Sequence, residues 1–330
     1  MHAAAIDLRG GVSPRNTRLR GQSIIEYVLI IAVIGLVIVF AGPGVAGAIR
    51  NQFNLVGNTV NNGTNGTAEG GGASGSGSAG ADSATVQAAV AKDAKDWTLD
   101  EQKAVAEDIA AKGEASPTYA KAKAAMDAGT KFSMKLTDGQ TLEYRIIGIN
   151  HDDLADGSGK AGLTFLTTST GIWSTMNATD TNAGGWEKSE IRGRLNSGRI
   201  WNLMPSDFQS KVKPVKKLAN NVGGGDMNKH AAVTATSDKL FLLSYSEIVP
   251  TSYWASYPWT SSEGTQYEAF KGKVTENYNP NSAIAIGSGW WERSVFPNGS
   301  MGFLYVDSSG NPSDSNTAPG WFSVCPAWCF

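Results

Sequence analysis

An α+β architecture held behind a single membrane-spanning helix is what this chain predicts, and three observations carry that expectation. Val28–Ile49 contains no charged residue. Residues 61–84 are dominated by Gly, Ser, Asn and Ala, with Glu69 and Asp82 as the only charges. Beyond them, alanine-rich helical stretches give way at Lys131 to short alternating segments, in a chain with 39 Gly and 10 Trp. Glycine suits tight turns, and tryptophan brings a large apolar payload to a core. A net charge of −2 gives no electrostatic footprint for nucleic acid. Two cysteines, Cys325 and Cys329, do not make a disulfide scaffold.

The membrane element comes first. The 22 residues of Val28–Ile49 would measure ~33 Å as a helix, enough for a hydrocarbon core of ~30 Å. Pro43, between Gly42 and Gly44, is a kink site. Arg9, Arg15, Arg18 and Arg20 precede the span, so the N-terminus is expected in the cytoplasm and residues beyond ~50 outside. Arg50 weighs slightly against this orientation. The run exceeds a signal-peptide core of 7–15 residues, although small residues at 46–48 leave cleavage there open, as they do a plain signal anchor. Neither alternative explains Glu26, because a carboxylate in lipid costs roughly 2.5–3.5 kcal/mol at mid-helix and less near the edge.

Gly21-Gln22-Ser23-Ile24-Ile25-Glu26-Tyr27, directly before the apolar run, resembles the processing site of type IV prepilins of the tight-adherence (Flp) type. The resemblance covers residues ~15–50. It implies that a prepilin peptidase cuts after Gly21, making Gln22 the mature N-terminus. It also implies that Glu26 and Tyr27 act in filament assembly, with Glu26 neutralising the terminal amine of a neighbouring pilin subunit. Flp pilins are usually very short, whereas about 280 residues follow this helix. A minor or tip subunit fits that length better than a bulk filament subunit.

Residues 51–84 read as a flexible linker; the 24 residues of 61–84 alone reach roughly 27 Å as a Gly-rich coil. No Lys-Ser/Thr pair follows its glycines, so nothing there cradles a nucleotide phosphate. Three short helices are expected over 85–129. Ser83 or Asp82 can cap the first, with Val86, Val90 and Trp97 as its apolar face. Thr98 and Glu101 form a capping box for the second, which Gly113 ends. Ser116-Pro117 is an N-cap with proline at N1 for the third, and Gly129 ends it.

The domain proper is expected over 130–330. Phe132–Leu136 and Leu142–Ile149 alternate around the turn at Thr137–Gln140, a hairpin pattern. A polar loop at 151–159 precedes a third strand, Leu163–Thr167. Trp186–Asn196 reads as one helix, with Ile191 and Leu195 four apart, and Asp207–Lys213 as a second, stopped by Pro214. Ser237–Ile248 reads as a strand running into a turn. The C-terminal part holds Trp290–Ser294, Gly302–Val306 and Trp321–Phe330, the last read as a strand around Cys325 and Cys329.

Several of these segments, in order, are similar to a family of bacterial domains of unknown function, DUF6273. They are Trp186, Ser189, Ile191, Arg192 and Asn196; Ser237–Ser244; Trp290, Trp291, Arg293 and Ser294; and Pro326-Ala327. Cys325 stands where that pattern has an arginine. The resemblance covers about 131–330. It implies a twisted, mixed α+β domain of C-type-lectin-like appearance, related to formylglycine-generating enzymes, with recognition at a cell surface rather than a known reaction.

Sites of chemistry are sparse. Cys325 and Cys329 would lie ~13 Å apart on an extended strand, against the ~7 Å a disulfide tolerates. A disulfide therefore needs Pro326–Trp328 to turn; two buried thiols, or a metal or redox pair, are the other arrangements. Asp152, Asp153 and Asp156 fit either a solvated loop or a calcium ligand set, without the EF-hand spacing. His151 and His230 are too few for zinc. No nucleophile-elbow sequence marks a hydrolase. Tyr253, Trp254, Tyr257 and Trp259, four aromatics in seven residues, are either a ligand-binding patch or core.

The sequence reading is then a non-enzymatic surface protein, without a cofactor or a bound metal. It displays an adhesin-like recognition domain on a tight-adherence pilus. Its partners are the membrane, the prepilin peptidase, other pilin subunits and a host or surface glycan or protein. The alternatives are an anchored extracellular binding module unrelated to pili, and an enzyme using Cys325 and Cys329.

Overall fold

The structure is a computed structural model that describes residues 83–250, 253–275 and 281–330. The leader 1–21, the expected span at 22–50 with Gly21, Gln22, Glu26 and Tyr27, and the linker up to Asp82 lie outside the described residues. Among the described residues no helix is long and apolar enough to cross a membrane.

Three helices open the described chain: α1 (Ser83–Ala91), α2 (Leu99–Lys112) and α3 (Tyr119–Ala128). Thr98 caps α2 as its spacing predicts. Its Oγ1 accepts from Glu101 N at 3.2 Å, and Glu101 Oε2 accepts from Thr98 N at 2.8 Å. Gly113 and Gly129 end α2 and α3 with φ of 57° and 65°. α3 begins later than its Ser-Pro signal suggests, because the Ser116 hydroxyl donates to Asp108 Oδ2 (2.6 Å) instead of capping. On α1 the buried positions are Val86 and Ala89, while Val90 is half-buried.

β1 (Lys131–Lys135), β2 (Thr141–Ile149), β3 (Leu163–Thr167) and the C-terminal β11 (Ala327–Cys329) form an antiparallel sheet in the order β1-β2-β3-β11. The hairpin register is Lys135 opposite Thr141, as the alternation requires. One face is an aromatic stack. Tyr144 meets Trp328 edge-on at 4.9 Å, Phe165 stacks on Trp328 at 5.7 Å, and Phe208 meets Trp328 at 5.1 Å. Trp97 reaches Phe132 from the turn before α2 (6.4 Å). The thin helices thus pack on this sheet, and Tyr144 Oη donates to Gln102 Oε1 of α2 at 3.1 Å.

A second sheet has the order β4-β10-β7-β8-β9, from β4 (Trp173–Ser174), β7 (Trp290–Val295), β8 (Gly302–Val306), β9 (Asp314–Thr317) and β10 (Phe322–Ser323). β7 is central and all six of its residues are buried. β5 (Val215–Asn220) and β6 (Val233–Asp238) form a separate hairpin. This mixed arrangement fulfils the α+β expectation.

Three segments depart from their sequence reading. Trp186–Asn196 is two helices, α4 (Gly185–Lys188) and α5 (Glu190–Asn196), because Ser189 between them is extended, with ψ of 140°. Ser189 Oγ donates to Trp186 O, and Glu190 N donates to Asn177 Oδ1, so tertiary partners replace the helical bonds there. α6 (Arg199–Leu203) follows, and then α7 is only Ser206–Gln209 rather than a helix reaching Lys213. Within Ser237–Ile248 the strand ends at Asp238, and α8 (Tyr245–Ile248) follows.

Helix α2 approaches the β2–β3 connection so closely that a Cβ on Gly162 would lie 1.8 Å from Ala106 O. Gly162→Ala therefore forces the two elements apart and is expected to cost about 1–3 kcal/mol. Gly193→Ala, in α5 with nothing within 4 Å of the new Cβ, should instead gain about 0.5–1 kcal/mol from helix propensity. Urea unfolding of the two variants should move the midpoint in opposite directions.

Candidate functional site

The centre of the domain is charged. Arg293 of β7 is fully buried, and each of its N–H groups has a partner. Nε donates to Leu218 O (3.0 Å), Nη1 to Leu242 O (2.9 Å) and Glu247 Oε2 (2.5 Å), and Nη2 to Glu247 Oε1 (3.0 Å) and Glu263 O (2.6 Å). Glu247 lies in α8 and also closes a capping box on Ser244. Lys217 of β5 bonds both Glu247 Oε1 (2.6 Å) and Asp152 Oδ1 (2.7 Å), with its ammonium 4.2 Å from the Phe241 ring centre. Tyr267 Oη is within 3.1 Å of Lys217 Nζ and 2.9 Å of Asp152 Oδ2. One network thus links β7, the β5–β6 hairpin, α8 and the loop before β3.

Environment divides its four acids into two kinds. Burial pushes Asp152 and Glu247 up, but the opposing Lys217 and Arg293 charges outweigh it and hold both carboxyls below their usual values. Glu263 accepts from Asn220 N (2.8 Å) and from the Ser294 hydroxyl, yet burial dominates and raises it to about 7. Glu292 is fully buried with neither oxygen hydrogen-bonded. Burial and the nearby Glu263 push it well above the usual carboxylate value.

The family-like segments converge on this frame. Trp186 Nε1 donates to Asp238 Oδ2 (2.9 Å) and Arg192 Nε to Asp238 Oδ1 (2.6 Å). Asn196 Oδ1 accepts from Lys239 N (2.7 Å), and Ser294 Oγ accepts from Tyr245 N (2.9 Å). These residues are cross-links of the fold.

The four aromatics expected to bind a ligand separate into two pairs. Tyr257 and Trp259 are buried, and Tyr257 Oη contacts Asp226 Oδ1 (2.9 Å) and Asn298 Oδ1 (3.0 Å). Tyr253 is 47% exposed and meets the half-buried Trp254 edge-on at 4.9 Å. Tyr253 N donates to Tyr245 Oη (3.0 Å), and Tyr245 walls a groove of about 430 Å³ with Val249, Pro250, Thr260, Gln266 and Lys271. Tyr253 and Trp254 are therefore placed beside a concave surface of small-ligand size.

Cys325 and Cys329 are free thiols, both fully buried. Of the arrangements left open by their spacing, the structure has two separate thiols. Burial raises both, and the Asp152 charge raises Cys329 further. Asp152 turns inward to Lys217, so it does not join Asp153 and Asp156 in a calcium loop. Among the described residues no cluster of three or more His, Cys, Asp or Glu side chains is placed to hold a metal ion.

Comparison with known proteins agrees with the convergence of these segments. A family model described as "Domain of unknown function (DUF6273)" matches residues 161–330, about half of the chain, and the chain belongs to that family. The match begins after β1 and β2, later than the 131 expected, although both strands pair into the same sheet as β3. No curated protein and no solved structure matches the chain.

The charge network escaped sequence reading except for Arg293. Glu292 and Arg293 between Trp291 and Ser294 were the available signal: two charges inside an otherwise apolar strand pattern. Arg293→Met would leave Glu247 buried with half its counter-charge and should cost roughly 3–5 kcal/mol, read as a lower urea midpoint. Glu263 gives a pH signature. Its carboxyl binds a proton more tightly folded than unfolded, so its stabilising contribution is complete below about pH 4.5 and lost as pH rises through about 7. Melting temperatures at pH 5 and pH 8 should differ less in Glu263→Gln than in the natural chain.

Proposed function

We propose that the chain is a membrane-anchored surface protein. On this reading it is processed as a prepilin after Gly21, and its DUF6273 domain is a recognition head on a tight-adherence pilus. The observation that carries the recognition half is Tyr253, an exposed aromatic beside the groove walled by Tyr245. An exposed tyrosine ring can stack on a sugar ring or anchor a protein contact at low entropic cost. The anchoring half rests on Gly21, Glu26 and the charge-free run that follows them, with a glycine-rich tether leading to the domain. A C-type-lectin-like character for the mixed α+β domain belongs to the same reading.

The reading is non-enzymatic. Cys325 and Cys329 are buried and held protonated, whereas a catalytic thiol needs access and a lowered pKa. The buried Asp152, Glu247 and Glu263 carboxyls are tied into the frame of the domain.

Mass spectrometry of the chain from cells tests the anchor: a mature N-terminus at Gln22 is expected, with Gly21→Arg leaving the leader attached. A start near residue 50 would overturn prepilin processing. For the head, Tyr253→Ala should reduce adherence of cells displaying the protein several-fold at unchanged surface abundance, while equal adherence would remove the aromatic rim from recognition.

A further inference from the structure

A second concave site lies against β2 and shares no lining residue with the Tyr253 groove. It encloses about 320 Å³ between Gly129, Lys131, Arg145, Thr168, Ser282 and the wall formed by Trp290. Arg145 is its anomaly. Arg145 is half-buried with its Nε out of contact with solvent, and burial pulls it below the usual arginine value. No carboxylate among the described residues pairs with it. Its Nη2 donates to Ala283 O, its Cζ sits 5.7 Å from the Phe270 ring centre, and its buried Nε has no partner. Thr168 Oγ1, on the same wall, is likewise buried and unpartnered.

A buried charge without a counterion is expensive, and a guanidinium edge matches the two oxygens of a carboxylate. The charge count narrows the class further. Lys131, the other cation on this wall, is neutralised by Glu143 at 2.8 Å. Lys273, on the adjoining outer surface, is solvent-exposed and donates to Asp127 O (3.1 Å). Among the described residues that leaves Arg145 as the one half-buried cation on this wall with no carboxylate partner, which suits a monoanion better than a phosphate carrying nearly two charges. The remaining wall offers Leu166, Ile284 and Ile286 as apolar surface beside the Thr168 and Ser282 hydroxyls. We propose that this pocket binds a small organic carboxylate, with Arg145 gripping its two oxygens and Thr168 donating to one of them. The site stands independently of the anchor and of the aromatic groove.

The full chain in detergent, titrated calorimetrically with sodium D-glucuronate and with N-acetyl-L-alanine, each a monoanion, tests this. D-glucose and inorganic phosphate serve as controls. Binding of either carboxylate, with glucose silent, is the expected result, and the better of the two tells a sugar acid from an acylated amino-acid source. Arg145→Met keeps the aliphatic stem and should lower affinity about tenfold to a hundredfold, the range for a hydrogen-bonded charge. Thr168→Val should lower it several-fold. Without ligand, Arg145→Met should melt at or above the natural chain, because it removes an uncompensated charge. Phosphate binding without carboxylate binding, equal affinity for glucose, no binding at all, or a marked loss of melting temperature in Arg145→Met would each overturn the assignment.

Discussion

The bidentate Arg293–Glu247 pair is the constraint around which the domain is arranged. Arg293 sits in the middle strand of the second sheet, where no water is available to its N–H groups. A guanidinium there is tolerable only if every donor is met. Leu218, Leu242 and Glu263 meet three of them through backbone carbonyls, which brings three separate chain segments to one point. Glu247 supplies the remaining two acceptors and the counter-charge, and Lys217 passes that charge on to Asp152 beside the first sheet. Hydrophobic burial alone is non-directional. These bonds give it direction, fixing how two sheets and a hairpin sit together.

That dense centre also shapes the loop on which recognition is proposed. Glu263 lies at the end of the loop that carries Tyr253 and Trp254, and Gly264 next to it would place a Cβ 2.6 Å from Glu247 Cγ. The loop is therefore pinned at its C-terminal end by the network and at its N-terminal end by α8. Between those pins Tyr257 and Trp259 turn inward while Tyr253 faces outward. A rigid base under an exposed aromatic lowers the entropy lost on binding. At the Arg145 pocket the logic is reversed: among the described residues the half-buried cation has no carboxylate partner and its Nε is left without an acceptor.

Local chemistry was legible. The Thr98 capping box, the Gly113 and Gly129 stops, and the β1–β2 hairpin depend on neighbours within a few residues, and each stands where the pattern puts it. The helix over Trp186–Asn196 was misread because Asn177, far outside the window of helical periodicity, takes the Glu190 amide. The aromatic run was legible as a cluster, but not which rings would be covered. Tyr257 is buried by Asp226 and Asn298, residues 31 and 41 positions away. The upward push on the Glu292 carboxyl could not be read from sequence, since it follows from the central position of β7 and the proximity of Glu263.

By itself, the sequence determined the charge-free run with its glycine and glutamate ahead, the tether, the mixed α+β class and the ordered segments that mark DUF6273 membership. Those are matters of composition, period and spacing along the chain. The tertiary structure alone decided which charges are paired, which carboxyls burial pushes up and which their counter-charges hold down, that Cys325 and Cys329 remain apart, and that Arg145 has no counterion among the described residues. The reason is physical: the energy of a charge depends on its solvent and its neighbours in space, and both are set by contacts between residues distant in sequence.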